Sequence, residues 1–297
     1  MTIRSESTQI VDTGYGPVEI QRTEGALPPV LFMPGGHCNA ATPAGQEIYI
    51  ERGHEVVSFS RPGYGATDVG LLGGAGFVPV IEEVCQQLGI ERAAAVVGVS
   101  FGGVQAIHLA AASTIPERLI LHSCAPSTLP YPDTTRERLG APLLFGPAGD
   151  LTWAIVRRLV GSDRFLRLMM AQLSTLPSRE WFELWGTSER AAARATFTSM
   201  RSDKGFLNDV RQAAPALSRY REKVQTSVVL PTLITASRTD GGVVFAHAED
   251  LARTIPDSTL VETAAPSHLF WIGPQRHEVT DAVDRFLEGS HTASREP

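Results

Sequence analysis

The apolar run Ala93-Ala94-Ala95-Val96-Val97 is followed by Gly98-Val99-Ser100-Phe101-Gly102, and then by a helical stretch from Val104 to Ala111. Few architectures accept that order. The run has the length of a fully buried strand, and the stretch after it has the length and composition of a helix. The five residues between must reverse the chain within one tight turn. A side chain at position 98 or 102 would collide with neighbouring backbone in such a turn, and glycine has none. The serine hydroxyl is then raised above a sheet edge, at the positive end of the helix. The amide of Phe101 points to where an oxyanion would form. Gly103 adds a further small residue where the helix packs closely on the sheet.

The same strand–helix grammar recurs along the chain. Thr8 to Asp12 and Val18 to Arg22 alternate like a hairpin about Gly14-Tyr15-Gly16-Pro17. Val30 to Met33 reads as a buried strand, a short helix follows at about Pro43 to Arg52, and Glu55 to Ser60 reads as the next strand. Arg61-Pro62-Gly63-Tyr64-Gly65 makes a tight loop. A helix about Phe77 to Leu88 precedes the serine turn, and Leu119 to His122 is a further short strand. The alternation resumes at Val228 to Thr235, with a helix near Val244 to Arg253, a strand at Thr259 to Glu262 and a closing helix near Pro274 to Leu287. Repeated alternation predicts an α/β fold, a mostly parallel, doubly wound sheet covered on both faces.

Between the two blocks the pattern breaks. Residues 125–225 show helical periodicity and no convincing strand, with Pro142, Pro147, Pro177 and Pro215 as punctuation. Charge separates the same segment: Ala125 to Thr226 carries 15 Lys and Arg against 10 Asp and Glu, within a chain of net charge −6. The division expected is therefore a core of residues 1–124 and 226–290, a helical cap of residues 125–225, and a disordered tail at 291–297. The arginines of the middle segment (Arg157, Arg158, Arg164, Arg167, Arg190 and Arg194) alternate with Leu and Ala as a solvated helix face does. An acidic chain without a continuous basic stretch is not expected to bind nucleic acid.

The chain has 297 residues, 43% of them hydrophobic, enough for one large core. Cys38, Cys85 and Cys124 have neither metal-type spacing nor an even count for a disulfide framework. No apolar run approaches a membrane span, and the first residues lack a charged-then-apolar signal pattern. A cytoplasmic protein that binds a small molecule, with no membrane partner, no metal and no cofactor, is expected.

A serine nucleophile needs a base, and the base needs an orienting carboxylate. In open α/β sheets these stand on loops at the carboxyl ends of strands. The loop after the strand ending near Thr235 offers Ser237 to Gly242, and Asp240 is its only acid. The loop after the last strand offers Thr263 to His268, and His268 is its only histidine. The order Ser…Asp…His fits the turn at Ser100.

With these residues in place, the chain resembles an α/β-hydrolase of the capped, Ser-His-Asp kind, over about Val11 to Cys124 and Val228 to Leu287. Gly98 to Gly102 resembles that family's nucleophile elbow, Ser60 to Gly65 its loop after the strand preceding the elbow, and Ala265 to Trp271 its histidine loop. The resemblance implies Ser100 as nucleophile, His268 as general base and then acid, Asp240 as orienting carboxylate, and the amides of Phe101 and Gly36 as the oxyanion hole. Where the family often has His-Gly, this chain has Pro34-Gly35, which leaves the first amide between Gly36 and His37. A serine at the elbow argues against relatives whose nucleophile is a carboxylate.

The expected activity is hydrolysis of a small, largely apolar ester, lactone or related acyl compound through an acyl-enzyme. The alternatives are C–C bond hydrolysis, aminopeptidase or lyase chemistry on the same triad, or a small-molecule receptor that does not catalyse. His37, Trp153, Met169 and Trp185 are expected to line the substrate pocket. The run Gly70 to Gly76 lacks the Lys-Ser/Thr ending of a phosphate loop and reads as a flexible entrance loop. His108 and Cys38 read as packing residues, and His247, within a predicted helix, as an unsuitable base.

Overall fold

The computed structural model describes residues 8–131 and 149–289; the expected tail at 291–297 lies outside them. Eight strands make one sheet: β1 (Gln9–Thr13), β2 (Gly16–Thr23), β3 (Leu27–Met33), β4 (His54–Phe59), β5 (Ala95–Val99), β6 (Leu119–His122), β7 (Thr232–Ala236) and β8 (Ser258–Glu262). Their spatial order is β1-β2-β4-β3-β5-β6-β7-β8. The β1–β2 hairpin joins antiparallel, and every pairing from β4 through β8 is parallel. The central strands β5, β6 and β7 are buried along their whole length, as expected of parallel strands covered by helices on both sides.

Side-chain alternation divides the core between the two faces. Leu31 and Met33 of β3, Val96 of β5 and Ile234 of β7 pack with helices α2 (Gly74–Gln87), α3 (Gly103–Ala112) and, further along the chain, α9 (Ala246–Thr254). Val30, Phe32, Val97 and Leu233 turn the other way. They pack against α1 (Glu47–Ile50) and the last helix, α10 (Arg276–Glu288). Each buried Val, Leu, Ile or Phe contributes roughly 1.5–3 kcal/mol relative to exposure, so neither face is dispensable.

Two local expectations need correction. The strand expected from Val228 begins only at Thr232: Val229 is 82% exposed, and Pro231 has no amide to give a ladder. The glycine run read as an entrance loop ends in a helix, because α2 starts at Gly74. That glycine lies so close to His108 that a Cβ on it would meet the imidazole at 2.3 Å, and its amide donates to Gln212 Oε1 at 2.8 Å.

Between β6 and β7 the chain inserts helices α4 (Gly149–Leu159), α5 (Asp163–Ala171), α6 (Thr187–Ser199), α7 (Gly205–Gln212) and α8 (Ser218–Thr226). The described part of this insert contains no strand, only an isolated bridge between Ser174 and Asp240. Trp153, Leu166, Met170, Trp181, Phe182, Trp185 and Phe197 form its apolar interior, closed by Leu269 and Ile272 of the core. Three of its arginines meet acids at the surface: Arg167 with Glu183 at 2.9 Å, and Arg190 and Arg194 both with Asp163. Exposed pairs of this kind contribute little stability. The last insert helix, α8, packs on α3 and α9 at the side of the sheet.

Candidate active site

The turn at Ser100 is as tight as its glycines demand. A Cβ at Gly98 would lie 2.7 Å from the Gly103 Cα, and one at Gly102 only 2.0 Å from the Met33 carbonyl oxygen. Ser100 itself takes φ 51°, leaves β5 directly into a single 3-10 turn, and is 7% exposed. A left-handed conformation at a non-glycine residue costs on the order of 1–3 kcal/mol and persists only where the surroundings impose it. His37 (φ 61°) and Ser123 (φ 46°) share it, just past the ends of β3 and β6. Three of the four left-handed non-glycine positions among the described residues therefore gather along the carboxyl edge of the sheet; the fourth, Asp203 (φ 43°), lies between α6 and α7 of the insert.

The register of β5, β6 and β7 brings Val99, His122 and Thr235 abreast, so the loops that follow leave from one edge. Asp240 and His268 arise from the loops after β7 and β8, and they meet there. His268 Nδ1 donates to Asp240 Oδ2 at 2.8 Å. The other carboxylate oxygen accepts the amides of Gly242 at 2.7 Å and Val243 at 3.0 Å. With the Nδ1 proton committed to the carboxylate, Nε2 carries the lone pair that a base needs. Burial disfavours the imidazolium, but the charge and hydrogen bond of Asp240 more than offset it. The His268 pKa is held above its ordinary value.

The insert meets these loops along Leu173 to Thr175 and at Tyr131, whose Oη donates to the Gly242 carbonyl at 2.8 Å. The Leu173 carbonyl accepts the amides of His268 at 2.8 Å and of Gly241 at 3.1 Å. Ser174 Oγ adds a bond to the Pro266 carbonyl at 2.5 Å, and Thr175 N–H one to the Thr239 carbonyl at 2.9 Å. Gly242 lies against the imidazole, and a Cβ there would stand 2.8 Å from His268 Cγ.

The loop after β3, Pro34 to His37, lies beside Ser100: a Cβ on Gly35 would be 3.1 Å from the serine Cβ. The Arg61 guanidinium, 1% exposed, grips this loop. Its Nε donates to the Pro34 carbonyl at 2.8 Å and its Nη2 to the Gly35 carbonyl at 2.9 Å. The rest of the fork meets Asp209 of α7 at 2.5 and 2.8 Å. Tyr64 Oη donates to Asp209 at 2.6 Å and accepts the His37 amide at 3.2 Å.

Of the four residues expected to line the pocket, two come together. The His37 ring stacks on Phe206 with centroids 4.4 Å apart and lies 5.2 Å from the Trp153 ring. His37 Nδ1 and Trp153 Nε1 share the Ser202 hydroxyl, at 3.0 and 2.7 Å. Burial, helped by the charge of Arg61, lowers the His37 pKa to about 3, so the imidazole is neutral. Trp185 and Met169 belong, as Trp153 also does, to the apolar cluster joining the insert to Leu269 and Ile272. Sequence reasoning missed Arg61, Tyr64, Ser202 and Asp209. A buried arginine needs a buried acid, but nothing in the sequence singles out Asp209 among the acids of the chain.

The other buried histidines beside the sheet have structural partners. His122 is sealed between Tyr49 Oη at 2.8 Å and Thr235 Oγ1 at 2.7 Å, with its pKa lowered to about 3 by burial. His247 Nδ1 meets the Ser127 hydroxyl at 2.9 Å, and His108 Nδ1 the Val104 carbonyl at 2.7 Å. Cys38, Cys85 and Cys124 are free and buried. Burial pushes the thiols of Cys38 and Cys85 up to about 12 and that of Cys124 higher still. Among the described residues no three His, Cys, Asp or Glu side chains are grouped as a metal site, and no helix is long and apolar enough to cross a membrane.

Known proteins share this arrangement of chain. A family model described as the alpha/beta hydrolase fold matches residues 28–273. The uncharacterized hydrolase YcgS of Bacillus subtilis (strain 168) is 32% identical over 271 residues, which cover 88% of this chain and 91% of that protein. An alpha/beta hydrolase fold protein from Nakamurella multipartita superposes with a TM-score of 0.76 at 22% identity, over 96% of this chain and 100% of that one. A thermophilic esterase from Thermogutta terrifontis does so with a TM-score of 0.65 at 20% identity, again over 96% and 100%.

Proposed function

The chain belongs to the α/β-hydrolase family, and on that premise we propose that it is a serine hydrolase of small, uncharged acyl compounds, esters or lactones foremost. The observation that carries the reading is Ser100, held at φ 51° on the sheet edge from which the Asp240–His268 pair also rises. Ser100 Oγ attacks the acyl carbon while His268 Nε2 takes its proton, and Asp240 stabilises the imidazolium so formed. The imidazolium then protonates the leaving alcohol. Water repeats the attack on the acyl-enzyme, with His268 again as base, and the acid is released.

The amides of Phe101 and Gly36 hold the developing oxyanion, each worth roughly 3–4 kcal/mol in the transition state. Gly36 is preferred to His37 because the His37 amide is already turned to Tyr64 Oη at 3.2 Å. The insert serves as a cap over the site. The ring of His37, a residue of the oxyanion loop itself, packs with Phe206 and Trp153 of the insert, and a neutral His37 supports an uncharged acyl or alcohol group.

The test is hydrolysis of p-nitrophenyl butyrate by the wild type beside Ser100→Ala, with fluorophosphonate labelling read by mass. Turnover and a single adduct in the wild type, both lost in the variant, are expected. A variant that turns over like the wild type sinks the assignment. Acyl esters of increasing length and a lactone series then define the substrate.

A further inference from the structure

Arg61 has five N–H donors, and the structure gives each an acceptor: the carbonyls of Pro34 and Gly35, both oxygens of Asp209, and Gln105 Oε1 at 3.4 Å. A guanidinium so fully occupied has one orientation, and it imposes that orientation on what it holds. The Gly35 carbonyl and the Gly36 N–H belong to one planar peptide group. The only cis bond among the described residues is Ala125–Pro126, so this group is trans and its C=O and N–H point in opposite directions. Fixing the carbonyl toward Arg61 therefore aims the Gly36 amide away from it. Hydrogen bonding from a cation to the carbonyl also polarises the group and makes its N–H a better donor. The next amide, that of His37, is turned to Tyr64 Oη, whose own proton goes to Asp209.

Every member of this unit belongs to the core except Asp209, which comes from α7 of the insert, 148 residues from Arg61 in sequence. We infer that Arg61, Tyr64 and Asp209 position the Gly36 amide as an oxyanion donor, and that the donor is correctly aimed only while α7 is docked. The inference rests on the serine-hydrolase reading and adds a dependence on the insert. Asp209 is a positioning residue: it acts on substrate through Arg61 and the peptide between Gly35 and Gly36.

Asp209→Asn in the full chain tests it. Asparagine keeps the shape and one acceptor but removes the charge that holds the fork. The expected result is a fall in kcat for p-nitrophenyl butyrate of about 10- to 100-fold, part of the loss seen when an oxyanion donor is deleted. KM should stay within about threefold, and affinity for butylboronic acid, whose serine adduct places an oxygen in the oxyanion hole, should fall in parallel with kcat. A merely structural clamp would move KM or Tm instead, so wild-type kcat and boronate affinity in a folded variant overturn the inference. If Asp209→Asn does not fold, Tyr64→Phe carries the test: kcat lower by about threefold or more supports the unit, and an unchanged kcat overturns it. Fluorophosphonate labelling separates the two readings. A wild type with neither adduct nor turnover ends both, whereas a labelled, active wild type with a fully active Asp209→Asn ends this one alone.

Discussion

The loops after β3 and β4 and the loops after β7 and β8 both meet the insert, but by different chemistry. The first pair is held through a buried, bidentate Arg61–Asp209 pair with Tyr64 beside it, flanked by backbone bonds from Arg201 N–H to the His37 carbonyl at 2.8 Å and from Gly205 N–H to the Gly63 carbonyl at 2.9 Å. The second pair is held without a buried charge: the Leu173 carbonyl takes the amides of Gly241 and His268, and two hydroxyls, Ser174 Oγ and Tyr131 Oη, donate to the Pro266 and Gly242 carbonyls. A side-chain clamp is specific and brittle. Removing one partner strands a charge in a dry site, and burial of an unpaired ion is costly. A clamp centred on a backbone carbonyl has less residue identity to lose, so it tolerates most substitutions and fails chiefly when the chain path is moved.

That contrast can be broken from either end. The largest effect expected is at the carboxylate itself. Asp240→Asn leaves the shape intact but favours the wrong imidazole tautomer, and kcat should fall by about 10⁴-fold. The same change should move the acid limb of the pH–rate profile downward. Asp240 holds the His268 pKa above its ordinary value, and only the neutral imidazole accepts a proton, so wild-type activity falls as pH drops through that raised value. Stability runs the other way. The pair's contribution is complete below the unfolded histidine's pKa, about 6.5, and is lost as pH rises through the raised folded value. Thermal melts beside rate profiles from pH 5 to 9 would expose any error in that sign.

On the side-chain clamp, Arg61→Ala leaves Asp209 buried without its cation. Unfolding free energy should drop by about 3–5 kcal/mol, measured by urea titration at neutral pH. A loss below 1 kcal/mol would mean that water or a neighbour replaces the guanidinium. On the backbone clamp, Gly242→Ala is the damaging change, because the new methyl would intrude on His268. Displacing the base by a fraction of an ångström should cost about 100-fold in kcat. Ser174→Ala marks the mild end. It removes the bond to the Pro266 carbonyl and the one accepted from the Leu176 amide, while the Leu173 carbonyl keeps its two amides. Stability should fall by about 1 kcal/mol, with kcat within about twofold. A Ser174 variant as impaired as Asp209→Asn would erase the distinction between the clamps.

The fold and the two clamps differ equally in how far a sequence exposes them. The turn at Ser100 was legible because sterics select glycine at 98 and 102, a constraint written in residue types. Asp240 and His268 were legible because strand order places them on loops with no competing acid or histidine. Asp209 was not, since nothing local ties a residue on an amphipathic helix to an arginine 148 positions away. The Leu173 contacts were invisible for a deeper reason: a carbonyl oxygen is present at every residue, and only the folded path selects one. The start of α2 at Gly74 was missed because glycine discourages helix on propensity. Here its missing side chain is what lets the helix close on His108.

The three cysteines have a practical consequence. All are free, buried and shifted far from ionisation, and the thiolate is the form that reacts. At neutral pH the folded chain thus offers electrophiles no competing sulfur. The mass gained from a phosphorus or carbamoyl reagent becomes a direct count of acylable serine, and air or a disulfide reagent should leave that count unchanged.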